Sequence, residues 1–418
     1  MPPWFHRSLI LVVAVGSTLF LIDFFTPSFS TSTHSASLPR ASLGEFSTTL
    51  TESQAVLVTH LETPEPLKAL YMTACVAGTS FWRESLKRFI ETTELNAVVI
   101  DIKDYTGVVS FPNDFPKVFI ELGFVAQPGC VVSDMREFIQ TLHEAGIYVI
   151  GRLSVFQDPS YTKLFPALAV KKKSDGEVWT DYKGLSFIDV GARPYWDYIV
   201  ALSEEAYALG FDEINYDYVR YPSDGNVQDT LYTWTPKQSS NEDATGQAST
   251  TPTSDRLMTK AEVLKDFFEY LHDSLKDTGV KLSVDLFGMT TTAENDMNIG
   301  QVLENALPYF DYVSPMVYPS HYPPTWGGFS NPAEHPYEVV RIAMSRGMER
   351  ERILNISNGL ATSTPSKFRP WLQDFNLGAV YGPDKVRAQI QATYDAGLTS
   401  WMLWNAGNKY TTSALLLE

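Results

Sequence analysis

The stretch FDEINYDYV, residues 211–219, alternates polar and apolar side chains in a way that could bring carboxyl groups to a reactive site. The polar positions, which would share one face of a strand, are Glu213, Asn215 and Asp217. The positions between them, which would face the other way, are Ile214, Tyr216 and Tyr218. Carboxyl groups serve as nucleophiles and as general acids or bases, so their alignment on one face is a candidate for chemistry.

Other strand-like segments also carry ionisable residues towards their ends. Asp101 and Lys103 share one face of NAVVIDIKDYTG, Asp285 lies in KLSVDLFG, and Arg152 lies near the end of IYVIGRLS. Stability alone would favour Val, Ile and Leu at such positions. We therefore predict two catalytic carboxylates, Asp217 and Asp285. The residues predicted to contact a substrate are Asp101, Lys103, Arg152, Arg220, Tyr318, His321 and Trp404.

The charged residues also have purely structural interpretations. Asp217 could pair with Arg152 or Arg220, and Asp101 and Lys103 could neutralise each other. Glu213 precedes Asp217 on the same strand face and would lie further from the C-terminal end of the strand. At that depth it fits a buried polar network better than a reaction.

The aromatic candidates are equally open to two interpretations. Tyr318 and His321 follow the sixth predicted strand, and Trp404 ends the eighth. Each could line a binding site, with Trp404 as a platform on which a ring stacks, or could simply pack in the core.

The elements that must position these residues form a regular series. From residue 67 onwards, eight short apolar segments alternate with seven segments of 3.6-residue periodicity, and RILNISNGL, residues 352–360, is the seventh predicted strand. Such alternation predicts a parallel sheet with crossover helices, and eight units predict an α/β TIM (β/α)8 barrel. A doubly wound open sheet is the alternative, but no Gly-rich phosphate loop follows the first strand.

A barrel gives each strand face a role. One face packs under the helices, and the other points into the barrel. Ile214, Tyr216 and Tyr218 suit the helix side, which leaves Asp217 pointing inwards near the C-terminal mouth, where TIM-barrel active sites lie.

Composition restricts the possible functions. The chain has 418 residues, of which 44% are hydrophobic and 13% aromatic, as in a globular enzyme and unlike a disordered protein. Its net charge of −17 would repel polyanions, which argues against nucleic acid as a partner. The seven His residues are scattered without an HxxxH or HxH cluster, which disfavours a metal site, and chemistry by two carboxyl groups requires no cofactor.

The N-terminus predicts export. An apolar run from Leu9 to Phe25 has about the length, ~17–20 residues, that crosses a bilayer, and it is long for a cleaved signal core. Arg7 precedes the run, and no further Lys or Arg occurs until Arg40, which favours a cytoplasmic N-terminus. We expect a single-pass anchor inserted in the lipid bilayer, with the C-terminal part extracytoplasmic; secretion after signal-peptide cleavage is the alternative.

The predicted domain organisation follows from these segments. Residues 1–28 form the anchor, residues 29–64 a Ser/Thr-rich linker, and residues 65–418 the barrel, which carries a low-complexity insert at residues 226–257. Cys75 and Cys130 could pair in an exported protein, but two cysteines do not make a disulfide framework. Because Cys75 lies in a predicted apolar strand, a buried free thiol is the favoured interpretation.

Four motifs give the chain a family resemblance. GFDEINYDYVRYP, SVDLFG, VSPMVYPSHY and VIDIKDYTG resemble the signatures of the bacterial putative glycosyl hydrolase domain family, from about Leu67 to Trp404. The resemblance implies a TIM barrel, a carbohydrate substrate and a glycosidase-like activity. By similarity to related retaining glycosidase barrels, the acid that ends the fourth strand, here Asp217, is the nucleophile. Some of those relatives carry the acid/base after the sixth strand, where this chain has only Tyr318 and His321, and Asp285 is our choice instead.

We therefore expect a glycoside hydrolase that acts on an extracellular or cell-envelope polysaccharide through two carboxylates. The alternative class is a tethered, non-catalytic polysaccharide-binding barrel, which would keep the aromatic residues and tolerate loss of the acids. A metal-dependent or Ser/His hydrolase is disfavoured, because no corresponding cluster is found.

Overall fold

The computed structural model describes residues 58–111, 129–238, 256–361 and 366–417. Within them, eight parallel strands form a closed barrel in which chain neighbours pair and the last strand closes on the first. The strands are β1 (Lys68–Met72), β2 (Ala97–Lys103), β3 (Tyr148–Ser154), β4 (Glu213–Asp217), β5 (Lys281–Phe287), β6 (Tyr312–Met316), β7 (Trp371–Gln373) and β8 (Trp401–Trp404). The predicted TIM-barrel fold is confirmed.

Helices occupy the connections between the strands. The α-helices are α1 (Ala74–Ala77), α2 (Ser80–Glu91), α3 (Met135–Glu144), α4 (Pro159–Leu164), α5 (Arg193–Leu209), α6 (Lys260–Leu275), α7 (Leu303–Ala306), α8 (Pro336–Ser357) and α9 (Pro383–Asp395). Short two-residue strands pair outside the barrel, Lys171–Lys172 with Thr230–Leu231 and Lys237–Gln238 with Arg256–Leu257.

The two faces of the strands separate as the alternation predicts. Val98, Ile100 and Ile102 of β2 lie fully buried in the core under the helices, and Ile214 and Tyr216 of β4 belong to the same core. Full burial of an aliphatic side chain stabilises the fold by roughly 1.5–3 kcal/mol. The opposite faces therefore point into the barrel, where aliphatic residues such as Val99 and Ile150 form a second apolar cluster and Arg152 and Asp285 follow nearer the mouth.

Tyr218 is an exception to the predicted alternation. β4 ends at Asp217, and Tyr218 has a left-handed backbone with φ 52°, which few non-glycine residues adopt. The turn redirects its side chain, which lines the cavity at the mouth instead of packing under the helices.

The seventh strand lies later in the chain than predicted. Residues 352–357 of RILNISNGL continue α8, in which Arg352 pairs with Glu349 one turn earlier and Ile353 is 51% exposed. Ile353, Leu354 and Ile356 lie on this helix. Their closeness in sequence resembles the short apolar run of a strand, and this explains the wrong prediction. The actual strand β7 has only three residues, Trp371–Gln373, and lies directly after Pro370.

The two cysteines form a disulfide, Cys75–Cys130, with their Cα atoms 4.6 Å apart. The favoured interpretation of a buried free thiol is therefore wrong. Cys75 lies on the exposed side of the short helix α1 and not in β1, because the strand already ends at Met72.

The predicted linker ends before residue 64. His60 stacks on Tyr207 of α5 with ring centroids 3.9 Å apart, and the Leu61 amide donates to Asp212 Oδ1 at 2.8 Å. The segment from residue 58 therefore packs on the barrel. The predicted anchor, residues 1–28, lies outside the described residues, and among the residues that are described no helix has both the length and the apolar character of a membrane span.

The predicted insert, residues 226–257, has ordered ends on both sides of residues 239–255, which lie outside the described ranges. Gln238 pairs with Arg256 in an antiparallel ladder, and α6 begins at its own capping box, in which the Thr259 side chain accepts from the Glu262 amide and the Glu262 side chain accepts from the Thr259 amide. Such a cap stabilises a helix by about 1 kcal/mol. The residues on both sides of 239–255 are thus held by contacts with each other and by the helix cap.

We predict that replacing residues 239–255 with a two-residue Asn-Gly turn leaves the melting temperature within about 3 °C of the parent, because the ladder already brings the two ends together. Thermal unfolding followed by circular dichroism measures this. A loss of ten degrees or more would show that these residues contribute to the packing of the barrel.

Candidate active site

A cavity of about 600 Å³ opens at the C-terminal mouth of the barrel. This size is typical of small-molecule sites, and the mouth is where TIM-barrel sites form. Seven of the nine residues predicted from sequence line it: Arg152, Asp217, Arg220, Asp285, Tyr318, His321 and Trp404.

Asp217 ends β4 and is bound on both carboxylate oxygens. Its Oδ2 accepts from Arg152 Nε at 3.1 Å and Nη2 at 2.5 Å, and its Oδ1 accepts from the Tyr218 amide at 2.6 Å. Three donors, two of them from a cation, stabilise the charged carboxylate.

Asp285 on β5 has a different environment, although it lies at the same level of the barrel. Tyr216 pairs with Val284, so the next residues along β4 and β5 are Asp217 and Asp285. Asp285 Oδ1 accepts from Asn215 Nδ2 at 2.9 Å and from Trp371 Nε1 at 2.8 Å. Burial, together with the negative charge of Asp217, raises the pKa of Asp285 well above its ordinary value. Asp285 is therefore suited to hold a proton.

Arg152 on β3 joins the two sides of the mouth. Its Nη1 donates to Asp101 Oδ1 at 2.6 Å, while its Nε and Nη2 bind Asp217. Burial lowers the pKa of Arg152, but Asp217 and Asp101 more than offset this, and the net effect is a raised pKa. Arg152 therefore stays charged and fixes the position of Asp217.

Aromatic side chains support this ion cluster. Trp404 stacks on Tyr71 with ring centroids 4.0 Å apart, and the Arg152 guanidinium lies 5.0 Å from the Trp404 ring. The Tyr71 hydroxyl donates to Asp101 Oδ2. Trp404 also lines the cavity, which leaves part of it available to a bound ring.

Asp101 and Lys103 do not line the cavity, in contrast to the prediction. Asp101 is buried against Tyr71 and Arg152. Lys103 is fully buried, and its Nζ donates to Asp158 Oδ2 at 2.8 Å and to the Tyr195 hydroxyl at 3.0 Å. The register of β2 against β3 shifts between the two residues, so the simple alternation ends at Asp101. Nor do they neutralise each other, because each has a separate partner.

Glu213 belongs to a buried network, as predicted. Its Oε2 accepts from Arg369 Nη1 at 2.9 Å and from the Tyr148 hydroxyl at 3.3 Å. All three residues are buried, and Glu213 starts β4, the strand that Asp217 ends. The Glu213–Arg369 pair therefore lies at the opposite end of β4 from the cavity.

Several cavity residues were not predicted from sequence. Phe375 and Leu377 follow β7, the strand that the sequence periodicity predicts at residues 352–360 instead. The other lining residues outside the prediction include Lys183, Tyr218, Asp224, Phe287, Met289 and Tyr322. The segment RPWLQDF contains β7, but three strand residues are too few for an alternation that would identify a strand.

Close packing beside Asp285 depends on a glycine. A Cβ at Gly288 would lie 2.5 Å from the Met316 carbonyl oxygen and 2.6 Å from the Tyr322 hydroxyl. The absence of a side chain allows the loop after β5 to approach β6 and shapes this wall of the cavity. Across the four described ranges, no three His, Cys, Asp or Glu side chains converge as a metal site.

Comparison with solved structures gives matches that include two carbohydrate-active proteins of the same fold. The glycoside hydrolase domain of PgaB (BpsB) from Bordetella bronchiseptica is 12% identical, with 81% of this chain and 94% of that chain covered and a TM-score of 0.53. Alpha-L-fucosidase isoenzyme 2 from Paenibacillus thiaminolyticus is also 12% identical, with 84% and 46% covered and a TM-score of 0.51. A hypothetical protein from Ruminiclostridium thermocellum is 29% identical, with 52% and 96% covered and a TM-score of 0.42. No curated protein sequence matches this chain significantly.

Residues 69–410 match the family described as "Putative glycosyl hydrolase domain". The matched region begins within β1 and ends after β8, so it contains the barrel and every residue of the cavity. The chain belongs to this family.

Proposed function

We propose that this protein hydrolyses glycosidic bonds of an extracellular or cell-envelope polysaccharide, with Asp217 as nucleophile and Asp285 as general acid/base. The observation that carries the proposal is the contrast between two carboxyl groups in one cavity. Asp217 accepts two hydrogen bonds from Arg152, whereas burial and the charge of Asp217 raise the pKa of Asp285. Glycoside hydrolysis needs one ionised and one protonated carboxyl group, and we assign these roles to Asp217 and Asp285.

The strand geometry supports a retaining mechanism. Asp217 and Asp285 occupy corresponding positions on neighbouring strands, and such strands lie about 4.8 Å apart. Retaining enzymes place their two carboxyl groups ~5–5.5 Å apart, whereas inverting enzymes need ~6.5–9.5 Å for an intervening water. Asp217 would attack the anomeric carbon while Asp285 protonates the departing oxygen, and Asp285 would then activate the water that releases the sugar.

The fold likeness to the PgaB glycoside hydrolase domain and to a fucosidase is consistent with this chemistry. Screening the protein against a panel of bacterial and plant polysaccharides, with release of reducing ends as the readout, tests the proposal directly. Hydrolysis of at least one glycan is expected. Tight binding to a glycan that is never cleaved would instead identify the barrel as a binding module.

The nucleophile assignment predicts that Asp217→Asn lowers kcat by several orders of magnitude, because binding alone cannot replace a lost covalent step. Its stability should fall by less than the ~3–5 kcal/mol expected for a fully unpaired buried charge, since Arg152 keeps Asp101 as partner. Kinetics on the glycan found by screening, together with urea unfolding, measure both effects.

Asp101→Asn is the matched control for this variant. It removes the other carboxylate from the same guanidinium but does not alter a cavity residue. If Asp217 only positioned Arg152, the two variants would lose similar activity. A folded Asp217→Asn variant with turnover equal to that of Asp101→Asn would contradict the nucleophile assignment.

The acid/base assignment predicts a pH signature. A general acid works while protonated, so activity should fall as the pH rises through the raised pKa of Asp285, above the range of an ordinary aspartic acid. In Asp285→Asn this decrease of activity at high pH, the basic limb of the pH profile, should disappear. The variant should reduce the hydrolysis of substrates with good leaving groups least. The pH dependence of kcat/KM for an alkyl glycoside, whose poor leaving group requires protonation, measures it. An unchanged basic limb in the variant would assign the limb to another group.

We also propose that residues 1–28 anchor the protein in a membrane, on the basis of the apolar run Leu9–Phe25. The full-length protein should then remain with membranes through high-salt and alkaline carbonate washes, since these remove proteins held only by charge. Immunoblotting of the washed fractions measures this, and release into the supernatant would favour the alternative of a cleaved signal peptide.

A further inference from the structure

Arg220 differs from the other buried arginines of the barrel in having no carboxylate partner among the described residues. Arg152 pairs with Asp101 and Asp217, and Arg369 pairs with Glu213. Arg220 is only 7% exposed, yet no carboxylate oxygen in the described part of the chain lies within ion-pair distance of it. Burial lowers the pKa of Arg220, as expected for a cation that has lost water without gaining a counter-ion in contact with it.

The side chain is nevertheless firmly positioned. The guanidinium carbon lies 5.1 Å from the Tyr218 ring and 4.9 Å from the Phe287 ring. Nη1 donates to Ser223 Oγ at 2.9 Å and to the Tyr221 carbonyl at 3.3 Å. Aromatic faces and two hydrogen bonds thus fix the plane of the group before any ligand binds.

The remaining donors are free for a ligand. Among the described residues, Arg220 donates only through Nη1, which leaves Nε–H and the Nη2 donors without a protein acceptor. Arg220, Tyr218 and Phe287 all line the cavity that contains Asp217 and Asp285. A buried, preorganised guanidinium with unused donors in a binding cavity is matched by an oxyanion, which it can bind through two parallel hydrogen bonds.

We propose that Arg220 binds a single carboxylate carried by the substrate, so that the enzyme acts on a glycan with isolated hexuronic acid residues among neutral sugars rather than on a polyanion, which the net charge of −17 would repel. This inference rests on the proposed function and specifies its substrate class. A monoanionic carboxylate fits better than a phosphate dianion, because Ser223, which accepts from Arg220, donates in turn to Asp224 Oδ2 at 3.2 Å, and Asp224 also lines the cavity. That nearby negative charge would oppose a second charge on the ligand.

A matched substrate pair tests the proposal. The probes are an oligosaccharide that carries one hexuronic acid residue among neutral sugars and the same oligosaccharide after chemical reduction of its carboxyl group to a primary alcohol. The parent protein should prefer the acidic form by about 10- to 100-fold in kcat/KM, as expected for hydrogen bonds to a charged group. Arg220→Gln should reduce this ratio to near one, and Arg220→Lys, which keeps the charge without the planar fork, should retain part of it.

Lys183 provides the matched control. It also lines the cavity, but its side chain is exposed. Lys183→Gln should leave the acid preference above that of Arg220→Gln. A parent protein without preference for the acidic form, or an equal loss of preference in both variants, would overturn the assignment to Arg220.

Binding separates this inference from the proposed function. Calorimetric titration of the Asp217→Asn variant with each probe should show the same acid preference. The double variant Asp217→Asn/Arg220→Gln should lack this preference. If no glycan is hydrolysed while this preference persists, the catalytic proposal fails and the carboxylate site remains. If neutral glycans are hydrolysed and bound as well as acidic ones, the catalytic proposal stands and the carboxylate site is wrong.

Discussion

The buried guanidinium of Arg152 organises the mouth of the barrel. It lies between Asp101 on β2 and Asp217 on β4, and so it ties together three consecutive strands. Burying ions costs several kcal/mol each unless geometry and hydrogen bonds compensate. Here the compensation is specific, since Asp101 also accepts from Tyr71 and Asp217 accepts from the Tyr218 amide. The arrangement binds Asp217 on both carboxylate oxygens, and burial, together with the charge of Asp217, raises the pKa of its neighbour, Asp285.

Polar groups at the two ends of the barrel interior serve different purposes. At the start of β4, Glu213 pairs with Arg369 away from the cavity, in a network in which each partner is satisfied. At the end of the same strand, Asp217 pairs with Arg152 but also borders the cavity. The first pair can be explained by structure alone. The second combines ionic pairing with access to a ligand, which is what catalysis requires and stability does not.

Regular alternation in the sequence predicts the inward positions of Asp217 and Asp285, and the structure has them at one cavity. Tyr218 and Lys103 depart from the prediction because a left-handed residue and a register shift end the alternation at those points. The three residues of β7 carry too little pattern to be recognised, and Phe375 after them is missed for the same reason. The pairing of Cys75 with Cys130 depends on contacts between distant segments, which local pattern does not report.

The central claim is that the two carboxyl groups of the mouth differ in protonation. Infrared difference spectroscopy of the parent protein against Asp285→Asn measures this without a substrate, because protonated and ionised carboxyl groups absorb at separate frequencies. We predict a protonated carboxyl band that persists above the pH at which ordinary aspartic acids ionise and that is missing from the variant. A difference spectrum that shows only an ionised carboxylate for Asp285 throughout that pH range would contradict the division of roles between Asp217 and Asp285.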